Sequence, residues 1–403
     1  MMTTLPDADK NFCSELSGPS PATSLFRHIR LLFLDAIPER DNNHPPMPDD
    51  PNIITRRKSF ISISDELRSY LRHYGRLAEI PALYRDLEAF ESFYPLMDRA
   101  GKSTLWDTVI YERSLMKELW PKLTSIYSLL KTGDLQAVPH LYVERVDYCG
   151  FGNSKPFRIR VVNQYNDNYD HFYLKVADAS RIYGLELEHV LSPNRITYLV
   201  HEDTLIEEHI AGVPGDVFIG EYFERPDVNR VRIAKEFVKF SERCFIRLLG
   251  DMRSYNYVVD MTPDFEEVQY RVRAIDFDQQ SYEGRCSLYL PQYYKENLPV
   301  VNLCTKYLNL ATAQQYQQEE RSLIARRFLA EKSRLRAIFR AMKHHPAEPP
   351  EKVAQLKHEL GEYHKTATFE SAHSMGDLVE KHLEFVLGKL LGDTRHQVLP
   401  LAP

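Results

Sequence analysis

The stretch LYVERVDYCGFGNSKPFRIRVVNQYNDNYDHFYLKVAD, Leu141 to Asp178, limits the possible folds more than any other part of the chain. Its β-branched and aromatic residues recur with period two, the signature of strands half buried against a core. Gly150, Gly152, Asn153 and Pro156 interrupt the run once, and Asn166, Asp167 and Asn168 interrupt it again, so the segment reads as an antiparallel meander. A short helix, ASRIYGLELEHVL, and two further strand-like runs, NRITYLVHED and TLIEEHIAG, follow before VPGD breaks the chain. From about residue 226 the pattern is mostly helical, starting with DVNRVRIAKEFVKFSERCFIRLL. The expected class is α+β: a small antiparallel sheet carrying one helix, then a larger helical part.

The segment ahead of the meander reads as helical. SISDELRSYLRHYGRL has Ser64 as a cap, Asp65 and Glu66 in the first turn, and Leu67, Tyr70, Leu71 and Tyr74 on one face. TLWDTVIYERSLMKELWPKL and TSIYSLL are read as further helices. Residues 1–58, with SGPSPATS and DNNHPPMPDDPN, are too rich in Pro, Ser, Asp and Asn for a sustained helix or central strand. One apolar run within them, SLFRHIRLLFLDAI, is expected as a docked helix. The expected divisions are a largely disordered or loosely docked segment at 1–58, a helical extension at 59–138, a sheet-bearing lobe at 139–212 and a helical lobe at 213–395.

Composition narrows the functional classes. With 403 residues, 43% of them apolar, the chain can bury a large core. A net charge of −6 gives no general attraction to nucleic acid or to anionic membrane. The five cysteines are odd in number and widely spaced, with no CxxC, which suggests neither a disulfide framework nor a zinc site. No apolar run approaches the length of a membrane span, and MMTTLPDADKNFC is not a secretory signal, so a cytoplasmic location is expected.

Chemistry concentrates in two stretches. IRLLGDMRSYNYVVD runs from an apolar helix through Asp251 to Asn256, and YRVRAIDFDQQ carries Asp276. YVVDM and VQYRVRAID alternate as strands around TPDFEE, so a hairpin returns Asp276 toward Asn256 and gathers Asp251, Asn256 and Asp276 into one cleft. Phosphoryl transfer needs such a set: a carboxylate to orient a hydroxyl, hard oxygen ligands for Mg²⁺, and a cation on the phosphates.

GDMRSYN followed by IDFD resembles the catalytic loop and metal motif of the protein-kinase-like superfamily, closest to its aminoglycoside phosphotransferase and choline kinase branch. The resemblance spans about residues 140–300, with the helices to about residue 390 completing the larger lobe. It implies a two-lobed kinase-like fold with Asp251 as catalytic base, Asn256 and Asp276 as metal ligands, and Arg253 touching the transferred phosphate. Upstream it implies Lys175 on the α- and β-phosphates, paired with Glu186 or Glu188, and Gly150 and Gly152 in the cover over the phosphates. Backbone groups around Glu208 to Ile210 would then bind adenine. ATP and Mg²⁺ are the implied cofactors, and a hydroxyl-bearing small molecule or protein the implied acceptor. Nucleic acid is not expected as a partner.

Departures from the family pattern bear on regulation. Leu249 stands for the His of HGD, Gly250 where protein kinases have Arg, and Asp278 for the Gly of DFG, and no APE follows. These rule out activation-loop control through an HRD arginine without removing any group needed for transfer. A kinase-like scaffold without transfer and an AMP-transferring enzyme are the alternatives that the same residues allow.

Three other motifs receive plainer readings. LMDRAGKSTLWD has Gly101, Lys102 and Ser103 in the GK[ST] order, but Leu96 stands where a P-loop needs Gly, and no strand is expected to lead in. KSTLWD is read as a helix start capped by Ser103 or Thr104. The basic segment from Arg321 to Lys343 is amphipathic and reads as a solvated helix face. His201 and His209 alternate with carboxylates on different strand faces, a poor arrangement for a metal.

Overall fold

The computed structural model describes residues 58–395 apart from 99–100, 136–137, 152–153, 266 and 346–347. The expected docked helix in SLFRHIRLLFLDAI therefore lies outside the described residues, as does Gly152. The chain is mixed α+β, with a seven-stranded antiparallel sheet followed by a helical C-terminal part.

Helix α1 (Asp65–His73) starts where its sequence requires. Ser64 Oγ accepts a hydrogen bond from Leu67 N at 3.1 Å, acidic residues occupy the first turn, and Leu67, Tyr70 and Leu71 are buried. The next expectation fails. TLWDTVI is not helical but forms strand β2 (Ser103–Ile110), paired with β1 (Ser92–Met97). Its Thr, Trp, Val and Ile favour a pleated surface, and helix α2 (Arg113–Thr132) begins only after Tyr111 and Glu112. Ser103 and Thr104 cap nothing; Thr104 Oγ1 instead donates to Leu96 O across the hairpin at 2.7 Å. A strand thus does lead into the GKS motif, but it returns antiparallel rather than into a helix. Lys102 N donates to Asp98 Oδ1 at 2.8 Å within that turn, and Gly101 supplies its φ of 77°.

The meander forms as expected: β3 (Leu141–Tyr148), β4 (Phe157–Asn163) and β5 (Tyr169–Val176). Helix α3 (Ala179–Leu191) follows, then β6 (Tyr198–His201) and β7 (Thr204–Glu208). The sheet order is β1-β2-β3-β4-β5-β7-β6. β1, at one edge, is exposed along most of its length, contains Pro95 and shifts register between Pro95 and Met97. At the other edge, Val200 of β6 receives a hydrogen bond from Ala78 N and donates its own N–H to Arg76 O.

Two apolar clusters organise the packing. In the first, Leu119, Leu123 and Ile126 of α2 cover Val143, Ile159 and Phe172 on one sheet face. The second, larger cluster joins α3 to the helical part. α3 is buried around almost its whole circumference, so it lies between the sheet and the helices that follow. Each fully buried Leu or Ile there, such as Ile182 and Leu187, contributes about 1.5–3 kcal/mol relative to exposure.

The helical part begins with α4 (Arg230–Arg247). The expected hairpin follows as β9 (Tyr257–Pro263) and β10 (Val268–Ala274), joined by the short β8 (Val213–Pro214) in a three-stranded sheet. Helices α5 (Leu298–Tyr307), α6 (Leu310–Ala330), α7 (Lys332–His344), α8 (Pro350–His364) and α9 (Met375–Arg395) complete the described chain. The basic segment is less solvated than expected: Arg334 and Arg321 reach Glu186 and Glu242, both buried.

Candidate active site

Leu248 caps the C-terminus of α4 at a left-handed φ of 55°, and the chain then bridges to the IDFD segment through Gly250 N to Gln279 O and Ser281 N to Leu248 O. Asp251 also has a positive φ, 57°. An Asp tolerates this region better than most side chains, and strained backbone of this kind gathers at functional sites. The amide of Asp251 donates to Tyr294 Oη at 3.0 Å, which fixes the peptide from the α5 side.

A single 3₁₀ turn, Ser254–Asn256, carries the chain into β9. Asn256 Nδ2 donates to Asp251 O at 2.7 Å and to its Oδ2 at 3.3 Å. Pairing of Tyr257 with Ala274 closes the hairpin, and Ile275 N then donates to Asn256 O at 3.0 Å, one residue before Asp276. Asp251, Asn256 and Asp276 are thereby brought together. Arg253 joins them: its Nε lies 2.9 Å from Asp251 Oδ1 and its Nη1 3.0 Å from Glu296 Oε1.

The IDFD loop is seated on α3. Ser180 Oγ bonds Asp278 O and Gln280 O, at 3.0 and 2.9 Å. Gly184 permits the contact, since a Cβ there would lie 2.9 Å from Phe277 Cβ and 3.1 Å from its carbonyl oxygen.

The cation nearest Asp276 is one the sequence reading missed. Arg181, in the first turn of α3, places Nη1 2.8 Å from Asp276 Oδ1 and 2.9 Å from Asp278 Oδ1. Its Nη2 lies 2.8 Å from Glu207 Oε2, and its Nε also bonds Glu207. A cation near a helix N-terminus opposes the helix dipole, so a buried Arg there calls for carboxylate partners. That was the available signal. Glu207 carried a weaker one, as an acid in a run otherwise suited to a buried strand.

Lys175 is paired with Glu207, 2.8 Å away, and with neither Glu186 nor Glu188. The register explains the correction. Leu205 lies opposite Lys175 and Glu207 opposite Tyr173, so Glu207 is the diagonal neighbour on the same sheet face. Glu186 and Glu188 lie further along α3, at about 1.5 Å per residue beyond Arg181. Glu186 is instead bonded by the hydroxyls of Tyr70 and Tyr198, both at 2.5 Å, and by Arg334, with the Arg76 guanidinium as an ion-pair neighbour at 3.4 Å. Glu188 pairs with Arg247.

The remaining predicted positions divide. Gly150 lies in the β3–β4 connection, which register places at the same sheet end as Lys175: Tyr148, Phe157 and Leu174 are successive partners. The N–H of Glu208 is already engaged with Thr197 O at 3.1 Å, so it is not free for a base. Ile210, beyond the strand, is buried.

Electrostatics differ sharply among the acids. Burial pushes Asp251 up to about 6, with Asp276 adding to the rise and Arg253 opposing it. Asp276 is raised by burial and by Asp278 beside it. Burial acts upward on Asp278 too, but Arg181, Lys58 and Lys175 outweigh it and hold the carboxyl low. Glu207 is likewise held at about 2 despite burial, by Arg181 and Lys175. Burial and Arg181 lower Lys175 against the pull of Glu207.

The donor chemistry suits a hard divalent cation. Arg181 and Asp278 N both use Oδ1 of Asp276, leaving Oδ2 on a side chain that is 34% exposed, and Asn256 offers an amide oxygen. Among the described residues, no group of three or more His, Cys, Asp and Glu is arranged to hold a metal, so any such ion relies on the amide as well. No helix among them is long and apolar enough to cross a membrane. No family model matches the chain, and no curated protein matches it.

Proposed function

We propose that the chain is an ATP-dependent phosphotransferase with a kinase-like two-lobed arrangement, acting on a hydroxyl group. The observation that carries this reading is the closure of Asp251, Asn256 and Asp276 around one loop, with Asp251 pushed up to about 6. A carboxylate of that basicity is suited to accept a hydroxyl proton near neutral pH. The sheet and its α3 helix, placed ahead of the helical part, and the buried Lys175 at the Gly150 end of the sheet support it further.

In the proposed reaction the acceptor oxygen forms a bond to the γ-phosphorus, and the bond from that phosphorus to the β–γ bridging oxygen breaks. The hydroxyl proton passes to Asp251, and ADP leaves. Arg253 faces the same carboxylate and holds its orientation. Asn256 and Asp276 would hold Mg²⁺, which when bound neutralises phosphate charge. The GD and IDFD details favour a small-molecule acceptor over a protein.

A second reading, a nucleotide-binding or partner-binding scaffold without transfer, is favoured by Arg181. Its guanidinium already sits on Asp276 and Asp278, and Lys175 is already paired. Incubation with Mg²⁺ and ATP labelled in the γ or α position separates these readings. Transfer or release of γ label, lost in Asp251→Ala and Asp276→Ala, is the expected result. Transfer of α label replaces it with AMP transfer. Nucleotide binding with no turnover across an acceptor screen overturns it in favour of the scaffold.

A further inference from the structure

The described chain begins with a strap, residues 58–63, that runs in no regular structure before α1 and is fastened to the N-terminus of α3. Lys58 Nζ lies 2.5 Å from Asp178 Oδ1, and Ile61 N donates to Asp178 Oδ2 at 3.0 Å. Ile61 O in turn accepts from Ala179 N at 2.9 Å. The same Asp178 caps α3 by accepting from Arg181 N at 3.2 Å. Lys58 and Ile61 are buried, whereas Ser59 and Phe60 between them are exposed.

Ser59 therefore stands on a fastened and accessible segment. In sequence it follows Arg56, Arg57 and Lys58 and precedes Phe60, giving RRKSF. Kinases that select substrates by charge read basic residues just before the acceptor hydroxyl through acidic pockets of their own. The nearby serines lack this context. Ser64 uses its hydroxyl to cap α1, and Ser62 has Phe60 and Ile61 immediately before it.

A receiving cation is also present. Ser59 N donates to Tyr282 Oη at 3.3 Å, and Lys352 of α8 lies over the ring of Tyr282, with Nζ 3.9 Å from its centre. Lys352 Nζ is 3.1 Å from Glu283 Oε2, an exchangeable partner because both side chains are about a quarter exposed. A phosphoserine brings a charge of about −1.5 to −2 and three acceptor oxygens, enough to compete with one carboxylate for that ammonium.

We propose that Ser59 is a phosphorylation site for a basophilic serine kinase, and that its phosphate ties the strap to Lys352. In the modification Ser59 Oγ bonds to the γ-phosphorus of ATP, the bond from that phosphorus to the bridging oxygen breaks, and ADP leaves. The hydroxyl proton goes to the modifying kinase's carboxylate base. Because the strap also holds Asp178, the cap of α3, the new anchor tightens the helix end that carries Arg181. The modification requires no catalytic activity of the chain itself.

The test uses the full chain, γ-labelled ATP and the catalytic subunit of cyclic-AMP-dependent kinase, with a reaction lacking that kinase subtracted. Stoichiometric label is expected on Ser59, lost in Ser59→Ala and in the paired Arg56→Ala, Arg57→Ala variant. Retention of the label in Ser59→Ala overturns the site. Hydrogen exchange then tests the anchor: phosphorylation should slow the Ile61 and Ala179 amides by about fivefold in the native chain and leave Lys352→Ala unaffected. Exchange that is unchanged or faster in the phosphorylated native chain, or equal slowing in Lys352→Ala, overturns the pairing.

Discussion

Arg181 Nη1 lies 2.8 Å from Asp276 Oδ1, so the acid expected to hold a metal is already bonded to a guanidinium from the helix beneath the sheet. The same guanidinium carries Glu207 and Asp278. Replacing Arg181 by Met should take the guanidinium from buried Asp278 and leave Glu207 with Lys175 alone, destabilising the fold by about 3–5 kcal/mol. Chemical denaturation checks this; a midpoint unchanged from the native chain would contradict the clasp.

The pairing of Lys175 can be tested by thermodynamic coupling. A double-mutant cycle on Lys175→Met and Glu207→Gln should give an interaction of about 1–3 kcal/mol. The same cycle with Glu186→Gln should be additive to within about 0.5 kcal/mol, because Glu186 belongs to a separate cluster. Strong coupling to Glu186 would restore the pairing that the resemblance implied.

Asp251 fixes a pH response. Its carboxyl is raised from the ordinary 3.8 to about 6, so in the proposed role of base it would be lost by protonation when pH falls through about 6. Transfer measured as kcat/KM should show an acid limb there, and Arg253→Ala, by removing a cation that opposes the rise, should move the limb to higher pH. For stability the sign is the reverse of the usual carboxylate case. The folded state binds this proton more tightly, so the contribution of the group declines as pH rises between 3.8 and about 6. Asp251→Asn should accordingly keep or raise the melting temperature at neutral pH while abolishing transfer. A fall in melting temperature would assign the residue a structural role.

Glu186 should behave as a staple and not as a site residue. It is buried, with Tyr70 from α1, Tyr198 from β6 and Arg334 from α7 converging on it. Burial alone would raise its carboxyl, but Arg76 and Arg334 hold it below the usual value. Its contribution is therefore present at neutral pH and lost as pH falls through its lowered value. Glu186→Ala should cost about 3–5 kcal/mol in unfolding experiments while leaving the KM for ATP unchanged. A raised KM with normal stability would return it to the nucleotide site.

How far the chain could be read from residues alone varied with the range of the cause. The meander and the β9–β10 hairpin were legible because alternation and turn residues act locally, and Ser64 announced α1 through its own hydroxyl. β1 and β2 were not, because TLWDTVI adjoins a helical run and its strand character depends on a partner. The grouping of Asp251 with Asn256 and Asp276 followed from hairpin logic. The Lys175–Glu207 pair did not, since it depends on β7 lying beside β5, a register that no local pattern encodes. Arg181 escaped notice because its partners come from two separate segments, β7 and the IDFD loop.

The two margins of the seven-stranded sheet bear on how the molecule behaves at high concentration. An open strand edge is a template on which a second chain can polymerise. Here one margin carries Pro95, which offers no N–H, and an irregularity in register beside it, while at the other Val200 is already occupied by the 76–78 segment. Replacing Pro95 by a β-former would restore an N–H at that margin and make it a better template for a second chain.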